Sequence, residues 1–137
     1  LRTAVDTSVL LDVLGADPEH GEASREALRA AYRAGALLAC EVVWAEVRAH
    51  FPGDEPFRAA LRTLGVSFDP LDPEAAELAG SLWRRRHRDK ARGSRLRVVA
   101  DFLVGAHARL RTDALLTRDR GFYRECFTGL RVIDPAR

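Results

Sequence analysis

The chain alternates short, wholly apolar runs with longer stretches whose apolar residues recur three or four apart. Runs of the first kind suit strands buried on both faces, and stretches of the second kind suit helices with one face turned inward. The predicted strands are Thr3 to Val5, Ala36 to Cys40, Val66 to Phe68, Ala114 to Thr117, and Arg131 to Ile133. Helices are predicted over Ser8 to Leu14, Glu19 to Ala34, Glu41 to His50 and Asp54 to Leu64, then from Asp72 through Trp83, over Val98 to Leu110, and briefly over Phe122 to Cys126. The punctuation agrees. Gly35 and Gly65 stand where helices end, and Asp72-Pro73-Glu74 combines a capping aspartate, a first-position proline and a first-turn acid. In the third helix Val43, Val47 and Phe51 form a stripe, with Glu46 on or beside it. Val98 to Leu110 leaves almost no polar face, so it is expected to be buried on most sides, with Asp101 in its first turn.

Strands alternating with helices imply an α/β fold, a parallel sheet covered on both faces. In such folds ligands sit beyond the carboxyl ends of the strands, where the strand order reverses. The 137 residues suffice for a single domain, 1–137, with its own core. With 47% hydrophobic and 31% charged residues the composition is that of an ordinary globular chain. No apolar run approaches the ~20 residues of a membrane-spanning helix, so no membrane partner is expected. Cys40 and Cys126 form neither a CxxC pair nor a disulfide framework, which points to a reducing, cytoplasmic setting.

The acids are the informative chemistry. Asp6 follows the first strand, Glu46 lies in the helix after the second, Asp101 opens the buried helix, and Asp119 follows the fourth strand. Each also has an ordinary role open to it. Asp6 can cap the helix that follows, Asp101 can answer a helix dipole, Asp119 can serve a turn, and Glu46 can reach solvent. Together they would place four like charges near one another with no lysine beside them. A hard divalent cation, Mg²⁺ or Mn²⁺, resolves that repulsion with oxygen ligands alone. Such a site suits phosphodiester hydrolysis, in which one metal activates a water and a second, if present, stabilises the leaving oxygen.

Val5-Asp6-Thr7-Ser8, Glu46 in a Val-x-x-Glu-Val setting, Ala100-Asp101 opening an apolar helix, and Leu116-Thr117-x-Asp119 resemble, in order, the four motifs of the PIN-domain ribonucleases. Among these they are most similar to the VapC-type toxins of bacterial toxin–antitoxin pairs. The resemblance implies a three-layer α/β/α sandwich with a parallel sheet ordered 3-2-1-4-5. It implies Asp6 and Asp101 as principal metal ligands, with Glu46 and Asp119 completing the acidic pocket, and Ser8 and Thr117 holding the carboxylates or a water on the metal. It further implies an RNA substrate, a homodimer, and a cognate antitoxin protein that masks the site. Glu41 also lies near the second strand, but it precedes the apolar stripe that carries Glu46.

Other classes fit less well. A phosphorylation receiver wants adjacent acids after its first strand and a lysine after its fifth; here Asp6 stands alone and Lys90 is the only lysine. A haloacid-dehalogenase-type phosphatase wants an aspartate where Ser8 stands. A non-catalytic PIN-like module that binds RNA or protein remains the alternative. The net charge is only +2, yet Arg84, Arg85, Arg86, Arg88, Arg92, Arg95 and Arg97 crowd one segment, expected to be a loop. They read as an RNA-backbone clamp or as a solvated helix end. Trp83 could stack a base or pack in a core or a dimer contact. The histidines show no ligand spacing, and both cysteines are expected to pack as small apolar residues.

Overall fold

The computed structural model describes residues 1–89 and 98–136. Strands β1 (Arg2–Val5), β2 (Ala36–Ala39), β3 (Val66–Phe68), β4 (Ala114–Leu116) and β5 (Val132–Ile133) form one sheet in the order β3-β2-β1-β4-β5. Every pairing is parallel. Helices α1 (Thr7–Leu14), α2 (Gly21–Ala34), α3 (Glu41–Arg48), α4 (Asp54–Leu64), α5 (Pro73–Asp89), α6 (Val99–Arg111) and α7 (Arg120–Cys126) supply the crossovers and flank the sheet. This is the α/β/α sandwich and the strand order expected above. No helix among the described residues is long and apolar enough to cross a membrane.

The strands are apolar because they are covered on both sides: Val5, Leu37, Ala39, Leu115 and Leu116 are all essentially inaccessible. α1 and α3 add Val9, Leu10, Val43 and Val47 to the same core. The apolar α6 is the most enclosed helix, burying Phe102, Val104, Gly105, Ala106, His107 and Ala108. Gly105 is required by packing, since a Cβ there would collide with the Phe127 ring. α4 ends in a left-handed cap at Gly65, φ 76°, the conformation that glycine accepts most readily.

Element placement follows the sequence closely, with one difference. α5 continues past Trp83 to Asp89, so Arg84, Arg85, Arg86 and Arg88 lie on a helix rather than in a loop. Cations in a last helical turn oppose its negative end and do not by themselves stop it. Arg92, Arg95 and Arg97 lie outside the described residues.

His107, in the middle of an apolar helix, is satisfied by Asp69, whose Oδ2 lies 2.8 Å from its Nε2. Arg111 Nε donates to the same oxygen at 3.0 Å, and its Nη1 donates to Asp72 Oδ2 at 3.0 Å. This cluster ties the end of α6 to the loop between β3 and α5. The Arg111 guanidinium holds the Asp69 carboxyl below its usual value of 3.8, with the His107 contact adding to the effect and partial burial opposing it. A lowered folded-state value means that the stabilisation is complete above pH 3.8 and is lost as pH falls through the folded-state value. Arg111→Met should therefore destabilise the fold by about 2 kcal/mol at neutral pH. Urea unfolding across pH should show the gap to wild type closing below that range.

Candidate active site

Val5 pairs with Leu116, so Asp6 and Thr117 are the next residues on adjacent parallel strands and stand side by side. The ladder continues one step, with Asp6 N donating to Leu116 O at 2.9 Å. Thr117 Oγ1 then donates to Asp6 Oδ2 at 2.7 Å, while Thr7 N donates to Asp6 Oδ1 at 2.8 Å. Asp6 thus caps α1 and is also held across the sheet from the end of β4. Thr117 Oγ1 in turn accepts from Asp119 N at 3.0 Å, which orders the turn into α7.

Glu46 reaches the same place from α3. Thr7 Oγ1 donates to Glu46 Oε1 at 2.6 Å, which fixes that carboxylate to the start of α1. Asp101 arrives in the first turn of α6, where the helix dipole favours negative charge. Asp6, Thr7, Ser8, Glu46, Asp101, Arg118 and Asp119 together line one open cavity of about 530 Å³. All four acids singled out from the sequence therefore meet beyond the carboxyl ends of β1 and β4. Glu41 does not join them, because its Oε1 accepts from Leu71 N at 2.9 Å and holds the loop before α5.

The two hydroxyls expected to support the carboxylates behave differently. Thr117 does so, whereas Ser8 Oγ is buried on the cavity wall with no hydrogen-bond partner among the described residues. Thr7 takes a supporting role toward Glu46 that the sequence leaves unassigned. Its signal is present there: a hydroxyl residue directly after a strand-end acid is well placed to reach a second acid on another helix. Sequence reasoning also passes over Arg118. It lies in the cavity wall and is drawn by Asp12 of α1, not by the four candidate acids. Among the described residues of the arginine run, none lines the cavity. Arg84, Arg85 and Arg88 are exposed, while Arg86 turns inward and donates to Glu125 Oε1 at 3.1 Å.

The electrostatics are those of a crowded acid. Burial pushes the Asp6 carboxyl above its usual value of 3.8, the bonds from Thr117 and Thr7 oppose this, and the charges of Asp101 and Glu46 raise it further. Among the described residues no group of three or more His, Cys, Asp and Glu side chains is arranged to hold a metal ion directly. The donor set still fits a hydrated Mg²⁺ or Mn²⁺, which takes one or two carboxylates directly and reaches others through water. The acids and hydroxyl-bearing residues lining the cavity supply hard oxygen donors and no competing soft ligand among the described residues.

The model of the PIN domain family matches residues 3–127. Comparison with curated protein sequences finds no match. Among solved structures, the fold is similar to a chain of VapBC2 from Rickettsia felis, a complex bound to a DNA fragment from its promoter, at TM-score 0.71 and 15% identity over 98% of both chains. VapBC-1 from nontypeable Haemophilus influenzae gives a TM-score of 0.66 and 14% identity over 100% of both chains. VapC20 of Mycobacterium tuberculosis, a toxin that cleaves the sarcin-ricin loop, gives 0.60 and 18% identity over 94% of this chain and 98% of that one. At these identities the likeness establishes the fold.

An acid whose folded-state value is raised costs stability as pH climbs from 3.8 through that value. Asp6→Asn should therefore raise the Tm of metal-free protein at pH 7 and remove that pH-dependent fall. Mg²⁺ should raise the wild-type Tm, by about 2.7 kcal/mol of added stability at a hundred times Kd. The same addition should have little effect on Asp6→Asn. Thermal scans with and without Mg²⁺ check both.

Proposed function

Because the chain belongs to the PIN domain family, we propose that it is a metal-dependent endoribonuclease and the toxin of a toxin–antitoxin pair. One observation carries this reading: Asp6, Glu46, Asp101 and Asp119, from four separate segments, line a single cavity. Nothing in folding the sheet requires that convergence, and the repulsion it creates works against stability.

Asp6 and Asp101 hold the cation in this reading, and Glu46 and Asp119 complete its acidic surround. When bound, Mg²⁺ or Mn²⁺ supplies Lewis acidity toward the phosphodiester and lowers the pKa of an attacking water. The chain's own residues supply order. Thr117 and the Thr7 amide fix the two oxygens of Asp6, and the Thr7 hydroxyl fixes Glu46. Those bonds keep the carboxylates from rotating away from one another when no cation is present, so the site is organised before substrate arrives.

The exposed Arg84, Arg85 and Arg88, on the outer part of α5, are the described residues of the run suited to RNA phosphates. Trp83 stands beside them on the same helix, its ring edge-on to His87 with centroids 6.0 Å apart. Arg86 is set aside for α7. The similar structures include VapBC complexes, which supports a protein antitoxin as the physiological partner. A homodimeric toxin acting in the cytoplasm completes the reading.

Purified protein should cut single-stranded RNA with Mg²⁺ or Mn²⁺ and stop when the metal is chelated. Asp101→Asn should lower kcat by at least about 10²-fold, the scale of removing one preorganised electrostatic contact, with the fold retained. A variant that cuts at the wild-type rate would remove Asp101 from the site. Replacing Arg84, Arg85 and Arg88 with Gln should weaken RNA binding. It should also flatten the salt dependence by a slope of about 0.7 for each phosphate no longer neutralised. Affinity that keeps the wild-type salt slope would exclude the α5 arginines from the RNA path.

A further inference from the structure

We propose that Arg118 is the group that seats an RNA phosphate in the acidic cavity, and that the buried Asp12 aims it there. The inference rests on the ribonuclease reading above and adds a substrate-binding residue to it. An acidic cavity repels a polyanion. A divalent cation offsets part of that repulsion, but it does not orient the chain relative to the carboxylates. Among the described residues, Arg118 is the cation in the cavity wall. Its neighbours in sequence are Thr117, bonded to Asp6, and Asp119, and it shares the cavity wall with Asp6, Glu46, Asp101 and Asp119.

The geometry prepares the guanidinium for such a role. Nε donates to Asp12 Oδ2 at 2.7 Å and Nη2 donates to Asp12 Oδ1 at 3.0 Å. This two-point bridge occupies one edge of the fork. The two N–H groups of Nη1 take no part in it. A guanidinium can serve a carboxylate on one edge and a phosphate on another, which an ammonium cannot do with fixed geometry. Asp12 is itself locked, because Ser24 Oγ of α2 donates to its Oδ2 at 2.8 Å.

The exposures of the two partners differ, and the difference is informative. The Asp12 side chain is 6% exposed and that of Arg118 is 35% exposed. A purely stabilising pair is a poor use of a buried carboxylate, since apolar residues of similar size often serve as well or better. Here a buried, doubly bonded acid holds an arginine that remains open to solvent at the cavity. That arrangement restricts the arginine's motion and leaves the Nη1 N–H groups outside the bridge, which suits preorganised hydrogen bonding to a phosphate oxygen.

The test uses full-length protein with Mg²⁺ and a short mixed-sequence single-stranded RNA. Arg118→Lys keeps a positive charge for Asp12 but spends its one ammonium there. KM should rise about tenfold or more, with the effect on KM exceeding that on kcat. The Mg²⁺-induced rise in Tm should stay at its wild-type size, which separates weakened phosphate binding from a damaged metal site. If Arg118→Lys fails to fold, the double variant Asp12→Asn with Arg118→Gln removes both charges together and should show the same rise in KM. Wild-type cleavage with unchanged KM in the folded variant overturns the role of Arg118 and leaves the ribonuclease reading standing. A loss confined to Tm and to the Mg²⁺ response also overturns it, because it assigns Arg118 to structure alone. Wild-type protein that cuts no RNA overturns the ribonuclease reading itself.

Discussion

Val5 sits opposite Leu116, and the site depends on that register. A parallel pair in this register brings the residues after β1 and β4 together, so Asp6 meets Thr117 and the turn carrying Asp119 follows. A slip of one residue would turn every side chain of the strand to its other face. The apolar residues of β1 and β4 resist such a slip, because helices cover both faces and each side chain fills its own place in the core. The same hydrophobic burial that sets the register therefore sets the position of the first carboxylate. It also makes that carboxylate expensive, since a strand-end acid among helices is largely withdrawn from water.

The strands, most helix bounds and the four acids are legible in the sequence because each leaves a local mark. Apolar runs, glycine stops and the Asp72-Pro73 start are properties of neighbouring residues, and an acid at the end of an apolar strand stands out against its surroundings. The convergence of the acids is legible only through the resemblance of their motifs, because distance across a sheet leaves no trace in spacing. The partners of those acids are harder to read. Ser8 looks as good a support for Asp6 as Thr117, and only the strand pairing decides between them. The Asp12–Arg118 bridge joins residues 106 apart, and in sequence Asp12 is one more polar position on a short helix. The basic end of α5 reads as loop because a run of arginines resembles a solvated tail, although arginine is a good helix former.

The charges divide into two kinds. Those of the cluster at the far end of α6 are paired with one another: Asp69 takes His107 and Arg111, and Asp72 takes Arg111 and caps α5. These contacts lower the Asp69 carboxyl and stabilise the fold. Asp6 and Glu46 at the cavity are held instead by neutral donors, the hydroxyls of Thr7 and Thr117 and the Thr7 amide. Neutral donors fix the position of a carboxylate without cancelling its charge. Asp6 consequently moves in the opposite direction from Asp69, upward, even though both make good hydrogen bonds. The difference comes from deeper burial and from like-charged rather than oppositely charged neighbours.

α6 joins the two kinds in one element. Asp101 lies in its first turn at the cavity, and His107 and Arg111 lie further along, in the cluster with Asp69. Its middle is pressed against the core through Gly105, where the Phe127 ring occupies the space of a side chain. A larger residue there would push the helix outward, and a rigid helix moves as a unit, so Asp101 would be displaced along with it. The paired ions near one end fix the helix along its axis, and the glycine contact fixes how closely it packs. The backbone of Asp101 is thereby placed beside Asp6 by apolar packing and by ion pairs further along the same helix. In this way a stable, satisfied cluster and a close-packed helix hold in place an acid that Asp6 repels.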